Sequence, residues 1–226
     1  MKTILFVASF TLMLVTVYMV FMWVPTEQNL GVSQRIFYVH VPLGWIGMVS
    51  IFVVGIASVI HLITRKNLWD AIAYSAAELG VIFATLILVT GAIWAKPVWG
   101  VWWSWDPKLT TTLILWFVYV GYLMVRSFST PGSQGRRYAS VVALLGAIDA
   151  PIIYLASIWW RTAHPNLNIG PLAAADSDLD GKMYITFFVS LITFTVFYVY
   201  VMLERIQMRK CEDDLDEVHQ YVSLNW

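Results

Sequence analysis

Five tryptophans are concentrated in one short segment between two long apolar stretches, and it reads Trp94-Ala-Lys-Pro-Val-Trp-Gly-Val-Trp-Trp-Ser-Trp-Asp106. A large aromatic side chain left in water forgoes roughly 1.5–3 kcal/mol of burial free energy. A water-facing loop therefore has no folding reason to carry so many indole rings unless a ligand covers them. A broad, flat and apolar ligand fits this pattern, and a porphyrin has that shape.

Two histidines, His40 and His164, flank the tryptophan segment in the sequence. Imidazole is the usual nitrogen ligand of haem iron. Two imidazoles on opposite faces of a macrocycle would hold its metal while indole rings pack on its plane. Either histidine alone would be explained as a hydrated residue at a membrane interface, so the prediction of ligation depends on the tryptophans.

The composition indicates an integral membrane protein. The 226 residues are 59% hydrophobic and 12% charged, whereas a soluble domain has about 25% charged residues. Apolar runs of about 20 residues cross the hydrocarbon core as helices, and six occur here, at 3–24, 43–63, 75–95, 109–125, 138–159 and 183–203. We therefore predict an all-α membrane protein, a single six-helix domain over residues 1–226.

The distribution of lysine and arginine predicts the orientation, because short cytoplasmic loops carry the excess of positive charge. Nine basic residues fall on one side of the predicted bundle and five on the other. Both termini, including the tail 204–226, are therefore predicted in the cytoplasm. The outer loops are then 25–42, 96–108 and 160–182, and they contain both histidines and most of the tryptophan segment.

An aromatic belt is the alternative explanation of the tryptophans, because tryptophan is enriched at membrane interfaces. A belt accounts for Trp23, Trp45 and Trp159, but not for the density of indoles between positions 99 and 105. A structural subunit that is only anchored in lipid by its tryptophans would also leave His40 and His164 unexplained.

The ends of the tryptophan loop have signals of their own. Pro97 and Gly100 are expected to break helix continuity. Asp106 followed by Pro107 predicts an N-cap and an N1 proline at the start of the fourth helix. Lys108 adds a cation beside the loop, with a snorkelling lipid anchor as the alternative.

Glu78 and Asp149 lie inside predicted spans, where an ionisable side chain is costly and indicates a function by default. Hydrogen bonding between helices is the open alternative for each. A small-solute permease with a site around these two acids is the alternative function. Permeases usually show internal repeats or paired broken helices, and the sequence has no convincing repeat.

Several chemistries are excluded by missing motifs. Cys211 is the single cysteine, so the chain has no internal disulfide and no C-x-x-C-H site for covalent haem. The sequence lacks a P-loop, so the chain should not hydrolyse ATP, and it lacks the usual hydrolase motifs. Whether a transfer of haem would count as enzyme catalysis stays open. Fourteen basic and fourteen acidic residues give no argument for nucleic acid.

The motifs resemble those of the CcmC family of cytochrome c maturation proteins, haem-handling membrane proteins with a tryptophan-rich WWD segment. The resemblance rests on the segment Gly91 to Asp106, on Phe37-Tyr-Val-His-Val-Pro42, and on Trp159-Trp-Arg-Thr-Ala-His164. It implies noncovalent haem b at the periplasmic face of a bacterial inner membrane, with His40 and His164 as axial ligands. The implied platform comprises Trp99, Gly100, Trp102, Trp103, Trp105 and Asp106.

The resemblance also implies partners. Haem would be passed to the haem chaperone CcmE, and the chain would associate with the ABC-type subunits CcmA and CcmB and the small membrane protein CcmD. Carboxylates near a low-dielectric interface need cationic partners, so Lys108 and Arg161 are candidates to pair with the haem propionates.

Overall fold

The computed structural model describes residues 2–129, 133–160, 164 and 180–225, and six long helices dominate this part of the chain. A π turn, Met19–Trp23, extends the first helix, and a 3-10 helix, Val32–Ile36, precedes the second. The long helices are α1 (Lys2–Tyr18), α2 (Phe37–Thr64), α3 (Asn67–Trp99), α4 (Pro107–Phe128), α5 (Ser133–Trp159) and α6 (Gly181–Asn225).

Length and apolarity suit these helices to a membrane. Within the described residues, α1, α2, α3, α4 and α6 are long and apolar enough to span one. Helix α5 has 27 residues, which at about 1.5 Å per residue exceeds the thickness of the hydrocarbon core. The predicted all-helical, multi-pass membrane architecture is therefore confirmed, while the orientation of the termini stays a prediction.

Helix α2 lies at the centre of the bundle and packs against α3, α5 and α6. Small residues allow close approach between helices in membranes. A Cβ atom added at Gly55 of α2 would lie 2.9 Å from the Cβ of Ala147 in α5, and one added at Gly146 would meet the Tyr119 ring of α4 at 2.9 Å. Glycine is therefore required at these two contacts.

Helix α2 begins at Phe37 rather than at the predicted residue 43, and His40 lies in its first turn. The prediction placed the helix start after Pro42, because proline has no N–H to donate to the carbonyl four residues earlier and usually marks a helix start. Here the Ser190 hydroxyl of α6 donates to that carbonyl, the one of Tyr38. A contact from a distant helix thus satisfies the group that Pro42 leaves free.

Helix α3 also runs further than expected. It continues through Pro97 to Trp99, so the prediction that Pro97 breaks the helix is wrong. The fixed φ of proline is compatible with a helix, and the helix that Pro97 weakens ends only a few residues later. Gly100 does end the helix, with a φ of 77° and its N–H donating to the carbonyl of Lys96 at 3.0 Å.

Helix α6 continues well beyond the membrane-spanning part into the tail that begins at residue 204. Arg205 donates to the Glu78 carboxylate of α3 at 2.5 Å and 3.0 Å, and it pairs with Glu212 at 2.9 Å. Arg209 pairs with Asp213 at 2.6 Å. The tail is therefore helical and packed at its start, while Leu215 and other large side chains further along are exposed.

Candidate functional site

A cavity of about 670 Å³ extends into the bundle from the end that carries the tryptophan segment. Small-molecule sites usually have volumes of about 300–1,000 Å³. Most of the wall is apolar and comes from α2, α3 and α4. The polar and aromatic residues that line it include His40, His164, Lys108, Trp94, Trp99 and Trp103.

The two predicted ligand histidines lie close together in the wall of this cavity. The ring of His40, on α2, and the ring of His164, after α5, have centroids 6.5 Å apart and planes inclined by 35°. A bond from a metal to an imidazole nitrogen is about 2.0–2.1 Å, and two such bonds plus the radii of two rings sum to roughly 6 Å. The observed spacing therefore suits two imidazoles that share one metal atom.

Indole rings border the histidine pair on both sides. The Trp94 ring meets the His40 ring edge-on at 5.8 Å between centroids. The Trp99 ring meets His164 in the same manner at 6.4 Å. Trp103 completes this part of the wall. A planar apolar ligand between the imidazoles would therefore have aromatic surface around it.

The other members of the predicted platform have different positions. Trp102 and Trp105 are 59% and 76% exposed and do not line the cavity, although the Trp105 ring packs edge-on against Trp103 at 5.8 Å. Gly100 forms the C-terminal end of α3. Asp106 is the N-cap of α4, as predicted, and its carboxylate accepts from the N–H of Lys108 at 3.0 Å.

Sequence reasoning missed two residues that contact His40, namely Thr90 and Gly91 of α3. Nδ1 of His40 lies 2.9 Å from the Thr90 hydroxyl oxygen. A Cβ atom added at Gly91 would lie 3.1 Å from Cε1 of the same ring. Gly91 opens the segment that carries the family resemblance, so it had a signal, whereas nothing local marks a threonine 50 residues away from its histidine.

The basic residues near the tryptophan segment also differ in position. Lys108 lines the cavity beside the histidines. Lys96 donates to the carbonyl of Gly100 at 2.9 Å, and its ammonium group lies 6.0 Å from the Trp102 ring. Arg161 lies outside the described residues.

The loop before α2 supplies Leu30 to the cavity wall. The Glu27 carboxylate holds this loop by accepting from the backbone N–H of Leu30 and, at 2.8 Å, from that of Asn29. Both hydrogen bonds favour the ionised form and lower the pKa of Glu27. Glu27 thus fixes one edge of the cavity and does not line it.

The two predicted intramembrane acids are used differently. Glu78 is ion-paired with Arg205 of α6. Asp149 has one buried carboxylate oxygen with no hydrogen-bond partner among the described residues, and the same holds for the Tyr119 hydroxyl. No hydrogen bond or ion pair within the described part of the chain joins Glu78 to Asp149.

Fold and site together define a multi-pass helical membrane protein with an apolar cavity that two imidazoles and several indoles border. The family model described as "Heme exporter protein C" matches residues 1–219. The chain therefore belongs to the CcmC family, which confirms the resemblance seen in the sequence.

Similar proteins come from bacteria and from a plant mitochondrion. "Heme exporter protein C" of Bradyrhizobium diazoefficiens is 36% identical over 77% of this chain and 66% of its own length. The same-named protein of Haemophilus influenzae is 32% identical over 84% of this chain and 76% of its own length. A "Putative cytochrome c biosynthesis ccmC-like mitochondrial protein" of Marchantia polymorpha is 39% identical over 63% of this chain and 60% of its own length.

Proposed function

We propose that this protein holds haem noncovalently in the cavity beside the tryptophan segment and passes it on during the maturation of c-type cytochromes. The observation that carries the proposal is the spacing of 6.5 Å between the His40 and His164 rings, in a cavity with indole walls. The relatives' names, which refer to haem export and to cytochrome c biosynthesis, support the same function.

In this proposal haem b is cargo, and the chain's residues bind and orient it. His40 and His164 occupy both axial positions of the iron and thereby exclude other ligands. Trp99 and Trp103 pack against the macrocycle, while the remaining predicted platform residues shape the loop that carries them. Lys108 pairs with a propionate from within the cavity, and Arg161 is the second proposed cation.

We propose the bacterial inner membrane as the location, with the tryptophan segment at its periplasmic face. CcmE is the proposed acceptor of the haem. CcmA, CcmB and CcmD are the proposed complex partners, and CcmA or CcmB would supply the nucleotide chemistry for which this sequence has no motif. The exposed rings of Trp102 and Trp105 are suited to contact an acceptor protein that approaches the cavity.

Haem titration of the detergent-purified protein tests the proposal. We expect the wild-type protein to take up one haem and to give a six-coordinate, low-spin absorption spectrum. His40→Ala and His164→Ala should each remove that spectrum, because one axial ligand is lost. His219→Ala, on the exposed part of α6, is the matched control and should change nothing. Wild-type protein that takes up no haem would rule the proposal out.

A role for Asp149 in transfer is proposed separately from haem binding. Its carboxylate lies in a span, and the structure gives one of its oxygens no partner among the described residues. Asp149→Asn should leave haem content unchanged and lower the transfer of haem to purified CcmE. If transfer is also unchanged, Asp149 has only a structural role. The permease alternative has less support, because Glu78 is committed to Arg205.

A further inference from the structure

We propose that Thr90 is a positioning residue that fixes the proton of His40 on Nδ1, so that Nε2 offers its lone pair to a metal in the cavity. The inference rests on the proposed function, in which His40 is an axial ligand of haem iron. It adds a residue on a different helix that sets the chemical form of that ligand before haem arrives.

The hydrogen bonds around Thr90 carry the inference. Its hydroxyl donates to the carbonyl of Leu86 at 2.7 Å, one helical turn earlier. The same oxygen lies 2.9 Å from Nδ1 of His40. A threonine hydroxyl has a single hydrogen to donate but accepts through its lone pairs. With that hydrogen engaged by Leu86, the oxygen can satisfy His40 only by accepting a hydrogen from Nδ1.

These hydrogen bonds determine which nitrogen of the His40 ring carries the hydrogen. A neutral imidazole has one N–H, on either Nδ1 or Nε2. If Nδ1 bears the hydrogen that Thr90 accepts, Nε2 is left with a free lone pair, which is the form that binds a metal. The reverse tautomer would require the Thr90 hydroxyl to donate to Nδ1 and so to give up its hydrogen bond to the Leu86 carbonyl.

Neighbouring residues of α3 hold the ring in this orientation. Gly91 leaves room for Cε1 of His40, where a Cβ atom would lie only 3.1 Å away. Trp94 packs edge-on against the ring at 5.8 Å. One turn of α3 thus provides a hydrogen-bond acceptor, a space and an aromatic wall for the same imidazole.

Outer-shell partners of metal-binding histidines typically change metal affinity by 10–100-fold. The Thr90 hydroxyl is uncharged, so we expect Thr90→Val to weaken haem binding by about tenfold, at the lower end of that range. The midpoint potential should rise, because a hydrogen bond from Nδ1 makes Nε2 a better donor and stabilises ferric iron. Thr90→Ser keeps the hydroxyl and should restore both quantities.

A matched control lies on the same helix. The Thr85 hydroxyl also donates to the carbonyl one turn earlier, that of Val81 at 2.8 Å, and it accepts from Trp116 Nε1 at 2.8 Å. Thr85→Val therefore removes the same type of group without touching a histidine. It should leave haem affinity and potential unchanged.

The decisive measurement is nitrogen NMR of haem-free protein labelled with ¹⁵N-histidine in detergent, with the His40 signals assigned from their loss in His40→Ala. We expect the Nδ1–H tautomer in wild-type protein and in Thr90→Ser, and a mixture of tautomers in Thr90→Val. An Nε2–H tautomer in wild-type protein would overturn the inference.

The two proposals fail in distinguishable ways. Wild-type protein that binds no haem defeats the proposed function, whereas the tautomer of His40 is measured without haem. The role of Thr90 alone is ruled out if wild-type protein binds haem through His40 but Thr90→Val and Thr85→Val have the same haem affinity and the same midpoint potential. If Thr90→Val fails to fold, the tautomer in wild-type protein still decides.

Discussion

At the scale of single residues, position in the cavity separates side chains that the sequence alone treats as equal. Trp99 and Trp103 line the cavity, whereas Trp102 and Trp105 are mostly exposed. Their chemical type is the same and their spacing in the chain is short, so no local pattern distinguishes them. The fold makes the distinction, by ending α3 at Trp99 and starting α4 after Asp106.

Trp103→Ala should therefore weaken haem binding more than Trp105→Ala. A buried aromatic side chain contributes roughly 1.5–3 kcal/mol, and about 1.4 kcal/mol corresponds to a factor of ten in affinity. We expect at least a tenfold increase in the haem Kd for Trp103→Ala and less than a threefold increase for Trp105→Ala. Equal effects in titrations of the two variants would mean that the cavity is not where haem binds.

Gly91→Ala should displace the His40 ring, because the added Cβ would lie 3.1 Å from Cε1. We expect about a tenfold loss of haem affinity, the size of effect seen when an outer-shell contact of a metal ligand is disturbed. Gly121→Ala is the control, since a Cβ atom at that position meets open space. Both variants should keep the thermal stability of the wild type, and an unchanged haem Kd in Gly91→Ala would contradict the contact.

At the scale of helices, the sequence predicted their number and order but not all of their ends. Apolar length is a local property, so all six runs were recognisable. The start of α2 was missed because Ser190 of α6, far away in the chain, satisfies the carbonyl that Pro42 leaves free. The site residues could likewise be predicted only in part. Both histidines stood out by residue type, whereas the contact of Thr90 with His40 exists only because α3 packs against α2.

Asp70→Ala should destabilise the packing of α3 against α4. Asp70 and Arg126 form an ion pair at 2.9 Å, with side chains only 1% and 8% exposed. Removing one partner of a buried pair typically costs about 3–5 kcal/mol, because the other charge stays buried. The measurement is the free energy of unfolding in detergent.

The control for this effect is Lys2→Ala. Lys2 pairs with Glu204 at 3.0 Å, but both side chains are more than a third exposed, so the expected loss is within about 1 kcal/mol. A similar loss of unfolding free energy in the two variants would show that burial does not determine how much the Asp70–Arg126 ion pair contributes to stability.

At the scale of the whole molecule, the structure has two chemically different ends. One end gathers ion pairs among Arg126, Arg205, Arg209 and their acidic partners, and Lys2 meets Glu204 there. The other end has the cavity, with His40, His164 and the indoles in its wall. The basic residues at the first end predict a cytoplasmic position for both termini, and that orientation stays a prediction.

Cys211 allows the orientation to be tested, since it is the single cysteine and is exposed. A membrane-impermeant maleimide should not label it in intact spheroplasts and should label it once the membrane is permeabilised. In a Cys211→Ser background, Gln28→Cys, on the exposed loop before α2, should label in intact spheroplasts. The opposite pattern would invert the predicted topology.

The central claim is that His40 and His164 bind one haem iron from its two faces. Electron paramagnetic resonance of the ferric, haem-loaded protein tests it most directly, because bis-imidazole haem gives a characteristic low-spin signal. We predict that signal for wild-type protein, its conversion to a high-spin signal in His40→Gly and in His164→Gly, and its recovery in each variant when free imidazole is added. A low-spin signal that survives in either variant without imidazole would contradict the claim.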